Sequence, residues 1–199
     1  LMDDIIIRGG LVVDGSGAPG FLADVAVKDG RIRAIGELSG EKAARELDAS
    51  GLAVAPGFFD AHCHSDTTFL LDSSGAAKLY QGVTTEVCGQ CGFSPFPALP
   101  EHLTEVDPGE GVDRSWYCAS FRNFAKRVED GGWQMGVNLA PLTGHGSLRA
   151  GVLGYANRAV TDEELRSMQE LLRQDLEAGV WGLSLGLEYS PGCFADQKE

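Results

Sequence analysis

The stretch that most constrains this chain is an apolar run, V-A-P-G-F-F-D-A over residues 54–61, that ends in His62-Cys63-His64-Ser65. On a β-strand, side chains two apart point to the same face, so His62 and His64 project together and their imidazoles can converge on one ion. A strand that ends in His-x-His is half of a metal site. The competing reading is one buried and one surface histidine that merely lie close in sequence.

The residues downstream favour the metal. Residues 83–87, V-T-T-E-V, are β-branched and read as a second strand, and the Gly-rich tail Gly89-Gln90-Cys91-Gly92 reads as the loop after it. Together, G-F-F-D-A-H-C-H-S-D over 57–66 and G-V-T-T-E-V-C-G-Q-C-G-F-S-P over 82–95 resemble the first two barrel strands of the N-acyl-D-amino-acid deacylases (D-aminoacylases), a branch of the amidohydrolase superfamily. L-T-G-H-G-S-L-R over 142–149 and G-L-S-L-G-L-E-Y-S-P-G over 182–192 extend the resemblance nearly end to end.

The resemblance implies an α/β protein: the N-terminal part of a metal-dependent (β/α)8 (TIM-type) barrel plus part of a small β-sandwich-like domain. It also implies that His62, His64 and Cys91 are zinc ligands. Position 90 is Gln where the family often has Asn, and position 63 is Cys where a small polar residue is common; neither is a ligand position. The donor types agree independently, since thiolate and imidazole suit a borderline-soft, tetrahedral Zn²⁺.

Cys88-x-x-Cys91 also has the spacing of a redox dithiol or of half a zinc knuckle. A thioredoxin-type motif opens a helix, whereas Gly92 and Pro95 break one here. A knuckle needs a second pair, and Cys118 and Cys193 stand alone. Cys63, Cys88, Cys118 and Cys193 therefore read as small buried apolar residues.

The chain divides into a β-domain, 1–55, and a barrel portion, 56–199, joined at Pro56-Gly57. In the first, apolar runs flank Gly9-Gly10 and Asp29-Gly30, and both steps predict hairpins. Residues 45–49 add a short strand. The second repeats strand, loop and helix: strands over 58–61, 83–87, 135–140 and 180–184, and helices over 74–81, 116–130 and 161–177. Thr161-Asp162-Glu163-Glu164 is a capping-box start for the last helix, and Gly179 closes it. A long loop over 89–113 is expected to be a substrate-covering wall or a surface excursion.

A whole barrel takes roughly 250 residues, so 199 residues are expected to hold four βα units at most. Barrel sites form at the C-terminal ends of the strands, where His62, His64, Cys91 and His145 fall. The resemblance places further histidine ligands and the proton-shuttling aspartate on later strands, so no catalytic residue is assigned here and the isolated chain is expected to be inactive. Asp66 is expected to orient an imidazole. His145, between glycines, either binds a substrate carboxylate or oxyanion, or fixes loop geometry. Arg149 could pair with a substrate carboxylate but reads first as a surface ion pair, and His102 as solvated. Residues 181–190 hold no lysine to be carbamoylated, which disfavours a hydantoinase or dihydroorotase and favours a cysteine bridge through Cys91; Glu188, at a position the family does not use as a ligand, is the lesser alternative, a bridging carboxylate.

The implied reaction is zinc-dependent hydrolysis of the amide bond of a small-molecule N-acyl-D-amino acid. A non-catalytic half-barrel fragment is the reading from another class. A net charge of −13 disfavours nucleic acid and anionic membrane as partners. Five thiols, an odd number, and no signal-peptide-like or membrane-spanning run make cytoplasm the default. Uncovered strand edges predict self-association.

Overall fold

The computed structural model describes residues 2–99, 102 and 113–199. Its contacts form two compact units, Leu1–Gly57 and Phe58–Glu199.

The first unit is one mixed sheet of β1 (Asp3–Val12), β2 (Phe21–Lys28), β3 (Arg31–Gly36), β4 (Ala43–Asp48) and β5 (Ala53–Val54), ordered β3-β2-β1-β4 with β5 also on β1. Asp29 (φ 50°) and Gly30 (φ 71°) supply the two left-handed residues of the tight β2–β3 turn, as their sequence predicts. Gly9-Gly10, by contrast, makes no hairpin. β1 runs through both glycines with a register shift between Ile7 and Gly10, a bulge with Gly9 at φ 64°. Gly10 faces β5 so closely that a Cβ there would lie 2.4 Å from Val54 Cγ2. Ile6, Ala26 and Leu38 form the core of this unit.

In the second unit, β6 (Phe58–Asp60), β7 (Val83–Cys88) and β8 (Asn138–Pro141) are parallel, with Asp60 opposite Glu86 and Glu86 opposite Leu139. The succession continues through β9 (Thr143–Gly144), which pairs in parallel with β10 (Leu183–Ser184). Leu142 N–H donates to Cys88 O at 2.9 Å and Trp181 N–H to Pro141 O at 2.9 Å, so the ladder carries across the break between β8 and β9. Four parallel strands thus follow one another as in the start of a barrel. Lys78, on the short helix α1 (Ala76–Leu79), binds Asp60 and Glu86 and fastens that helix to the first two strands.

Helix α2 (Phe121–Asp130) begins at Ser120, whose hydroxyl accepts from Asn123 N–H, and residues 114–116 form a separate 3-10 turn instead of its first turn. Trp116 there packs edge-on against Phe69 and Trp133. Helix α4 (Asp162–Ala178) carries the expected capping box, and Gly179 ends it at φ 111°. Asp175, near its end, is buried and accepts from Phe121 N–H at 2.7 Å and from the Thr143 hydroxyl at 3.1 Å, joining α4 to α2 and β9.

The sequence reading has no counterpart to helix α3 (His145–Leu153). Gly146 and Gly151 lower its propensity, but both serve close approach: a Cβ on Gly146 would lie 2.8 Å from Gly92 O, and one on Gly151 3.3 Å from Pro97 O. Leu148, Leu153, Val160 and Met168 form the α3–α4 core, while Phe69, Phe96, Phe124 and Val180 form another. Within the long loop, residues 94–98 are buried, with Ala98 N–H on Cys118 O and Cys118 N–H on Pro95 O. Residues 94–98 of the loop are thus packed into the core; 100, 101 and 103–112 lie outside the described residues.

Candidate metal centre

The histidine pair stands just past the end of β6, not on it. The strand pairing stops at Asp60, yet Cys63 N–H still reaches Val87 O at 3.2 Å, one further contact with β7. That contact keeps the strand-like alternation: Cys63 is buried, while His62 and His64 are exposed on the other side. Their rings meet edge to face with centroids 5.5 Å apart. Asp60 accepts the His62 N–H at 3.2 Å.

Cys91 comes from the turn after β7 and holds φ at 55°, a left-handed conformation uncommon for a residue with a Cβ. Its Sγ lies 3.4 Å from His62 Nε2, and one ligand atom from each of His62, His64 and Cys91 falls within 4.8 Å of the others. Donors on a tetrahedral zinc with bonds of 2.0–2.3 Å stand about 3.3–3.8 Å apart, so the Sγ–Nε2 spacing fits a shared ion. The donor set fits too, two imidazoles and one thiol.

The turn is fastened from several sides. Gln90 Nε2 donates to Ala61 O at 3.0 Å and to Val87 O at 3.3 Å, linking the loop of Cys91 to the residue before His62. Ser147 N–H donates to Gly92 O at 3.1 Å. Gly144 and Gly186 leave room for the turn's backbone: a Cβ on Gly144 would lie 2.4 Å from Gly92 O, and one on Gly186 1.8 Å from Cys91 O. Sequence reasoning missed Gln90, Gly144, Ser147 and Gly186; the glycines were visible, but only the fold shows what they touch.

The other singled-out residues lie elsewhere. Asp66 is half-buried, and burial pushes its carboxyl up to about 6, against the pull of its own and Gly89's backbone N–H groups and the charge of His64. Cys88 is buried, and burial together with the Asp66 charge pushes its thiol up, so it stays protonated and outside the cluster, against the dithiol reading. His145 opens α3, is buried, and has Nε2 2.9 Å from Glu199 Oε1. Arg149 is no surface residue: it is fully buried and binds the other Glu199 oxygen and the carbonyls of Ala156 and Arg158. His102 is half-buried rather than solvated. Glu188 is exposed and belongs to neither cluster of potential ligands. The second cluster, Asp60, Cys63 and Glu86, has the Lys78 ammonium among its carboxylates, which leaves it no need of a metal.

A succession of parallel strands with candidate ligands gathered past the C-terminal ends of its first two is the layout of the start of an α/β barrel, whose sites form at those ends. A model of the amidohydrolase family matches residues 45–198, and the chain belongs to that family. It is 39% identical over 198 residues to the D-aminoacylase of Alcaligenes xylosoxydans xylosoxydans, a match covering 98% of this chain and 40% of that one. With the N-acyl-D-aspartate deacylase of the same organism, identity is 38% over 200 residues, covering 98% of this chain and 39% of that one. The crystal structure of N-acyl-D-glutamate deacylase from Bordetella bronchiseptica, complexed with zinc and a phosphonate inhibitor, matches with a TM-score of 0.87 at 38% identity, over 98% of this chain and 41% of that one. The fold is accordingly the first part of the amidohydrolase barrel, as the sequence implies. The chain spans about two fifths of the length of the curated relatives it matches.

Proposed function

We propose that this chain supplies part of the zinc site of an enzyme that hydrolyses the amide bond of N-acyl-D-amino acids. The observation that carries the reading is the convergence of His62, His64 and Cys91 within 4.8 Å, at the ends of two adjacent parallel strands. Its likeness to a D-aminoacylase and to N-acyl-D-aspartate and N-acyl-D-glutamate deacylases supports the substrate class. In this reading His62 and His64 each offer a neutral ring nitrogen and Cys91 a thiolate. When bound, zinc supplies hydroxide near neutral pH and polarises the acyl carbonyl.

Gln90 keeps the two ligand loops in register, and Asp66, against the Cys91 turn and near His64, supports both. Among the described residues no carboxylate joins the His62–His64–Cys91 group, and the likeness to the deacylases supports assigning proton transfer to an aspartate on a later barrel strand. His145 is assigned the shaping of the α3 start through Glu199. The five thiols, all free, accord with a cytoplasmic enzyme. Exposed Phe58, Phe59 and Trp181 accord with self-association of the chain by itself.

The test is hydrolysis of N-acetyl-D-methionine and its L-enantiomer by the purified full-length protein, before and after treatment with a chelator. Turnover of the D-substrate alone, lost on chelation and restored by Zn²⁺, is expected. Equal turnover of both enantiomers, or activity indifferent to chelator, overturns the proposal.

A further inference from the structure

We propose that Ser184 is a positioning residue for the metal site, holding the Cys91 turn in the conformation that aims its sulfur at His62. The proposal rests on the reading of His62, His64 and Cys91 as metal ligands. Ser184 ends β10, far from Cys91 in sequence, and is buried. Its hydroxyl accepts from Gly92 N–H at 3.0 Å and donates to Gly89 O. Those two backbone groups bracket Gln90 and Cys91, so a single hydroxyl closes the turn that presents the thiol.

Two facts give this contact consequence for the site. Cys91 sits at φ 55°, and a non-glycine residue persists there only where its surroundings over-determine it. The same segment also presses on the turn two residues later, where Gly186 lies against the Cys91 carbonyl. Without the Ser184 hydroxyl, Gly92 N–H and Gly89 O lose a buried partner, and the turn can relax toward an ordinary backbone conformation. The sulfur then swings away from the 3.4 Å spacing with His62 Nε2 that a shared ion requires. Groups that orient metal ligands without touching the metal typically change metal affinity by about 10–100-fold.

Cobalt(II) titration of the full-length protein reads this directly, because a coordinated thiolate gives a charge-transfer band in the near ultraviolet. Ser184→Ala is expected to weaken Co²⁺ binding about tenfold or more and to diminish or shift that band. Ser184→Thr keeps the hydroxyl and is expected to restore both. Val160→Ala, in the α3–α4 core away from the turn, is expected to lower Tm with the band unchanged, which separates positioning from general destabilisation. Should Ser184→Ala fail to fold, Ser184→Cys, of similar size but a weak hydrogen bonder, is expected to show the same loss. A normal band and affinity in Ser184→Ala, or in Ser184→Cys in its place, overturns the proposal while leaving the metal site intact. A wild-type protein with no thiolate band overturns the metal-site reading and this proposal together.

Discussion

The histidine loop and the cysteine turn meet at one point but are held in opposite ways. His62 and His64 are exposed on a segment fixed by its continuity with β6, by the bond from the buried Cys63 to β7 and by the Gln90 bond to Ala61 O. Cys91 sits in a turn gripped by Ser184, Ser147, Gln90 and close-packed glycines from three later segments. The contrast separates two kinds of information. The identity and local facing of the proposed histidine ligands are written in a few consecutive residues, whereas the position of the proposed third ligand, Cys91, depends on backbone packing that spans the barrel portion.

Substitutions that break the long-range grip therefore have the largest effects. Gly186→Ala places a Cβ where the Cys91 carbonyl stands, 1.8 Å away, and that atom is backbone that no side-chain rotation relieves. Gly186→Ala is expected to abolish stoichiometric metal binding and to lower Tm by several degrees, checked by metal analysis after dialysis and by calorimetry. A Tm and metal content equal to wild type would mean that the turn is not close-packed.

The exposed partner behaves differently. His62→Ala removes a proposed ligand but little packing, so metal affinity is expected to fall at least tenfold while stability without metal stays within about 0.5 kcal/mol of wild type. Chemical denaturation of the metal-free proteins checks the second half. A loss well above 1 kcal/mol would place His62 in the fold's own support and erase the contrast with Cys91.

The smallest effect belongs to a wholly local device, the capping box of α4. The Arg158 guanidinium, with the Thr161 backbone N–H, holds the Glu164 carboxyl down at about 2 from its ordinary 4.5. Its stabilising contribution is complete above the ordinary value and is lost as pH falls from about 4.5 through about 2. Glu164→Gln should therefore lower Tm modestly at pH 6, with the difference from wild type closing as pH approaches 2. A difference that widens with acid would contradict the depressed carboxyl.

The same division decides what could be read from the sequence. The Asp29-Gly30 turn and the Thr161 capping box are local and were legible, as was the His-x-His pair, although its strand ends at Asp60, one residue sooner than the expected 58–61. Gly9-Gly10 carries a hairpin's composition but lies within β1, because its neighbour across space is β5 and nothing local reveals that. Helix α3 was hidden by glycines chosen for contact with the 92–97 backbone. Burial of Arg149 and the grip of Ser184 depend on partners far along the chain, Glu199 in one case and the Cys91 turn in the other.

The central claim is that one metal ion takes the Cys91 sulfur together with imidazole nitrogens. Zinc K-edge absorption on the zinc-loaded full-length protein tests it most directly. The predicted result is a sulfur scatterer at about 2.3 Å beside nitrogen or oxygen at about 2.0–2.1 Å, with the sulfur lost in Cys91→Ala and kept in Cys88→Ala. A shell of nitrogen and oxygen alone, or a sulfur that survives Cys91→Ala, would contradict it.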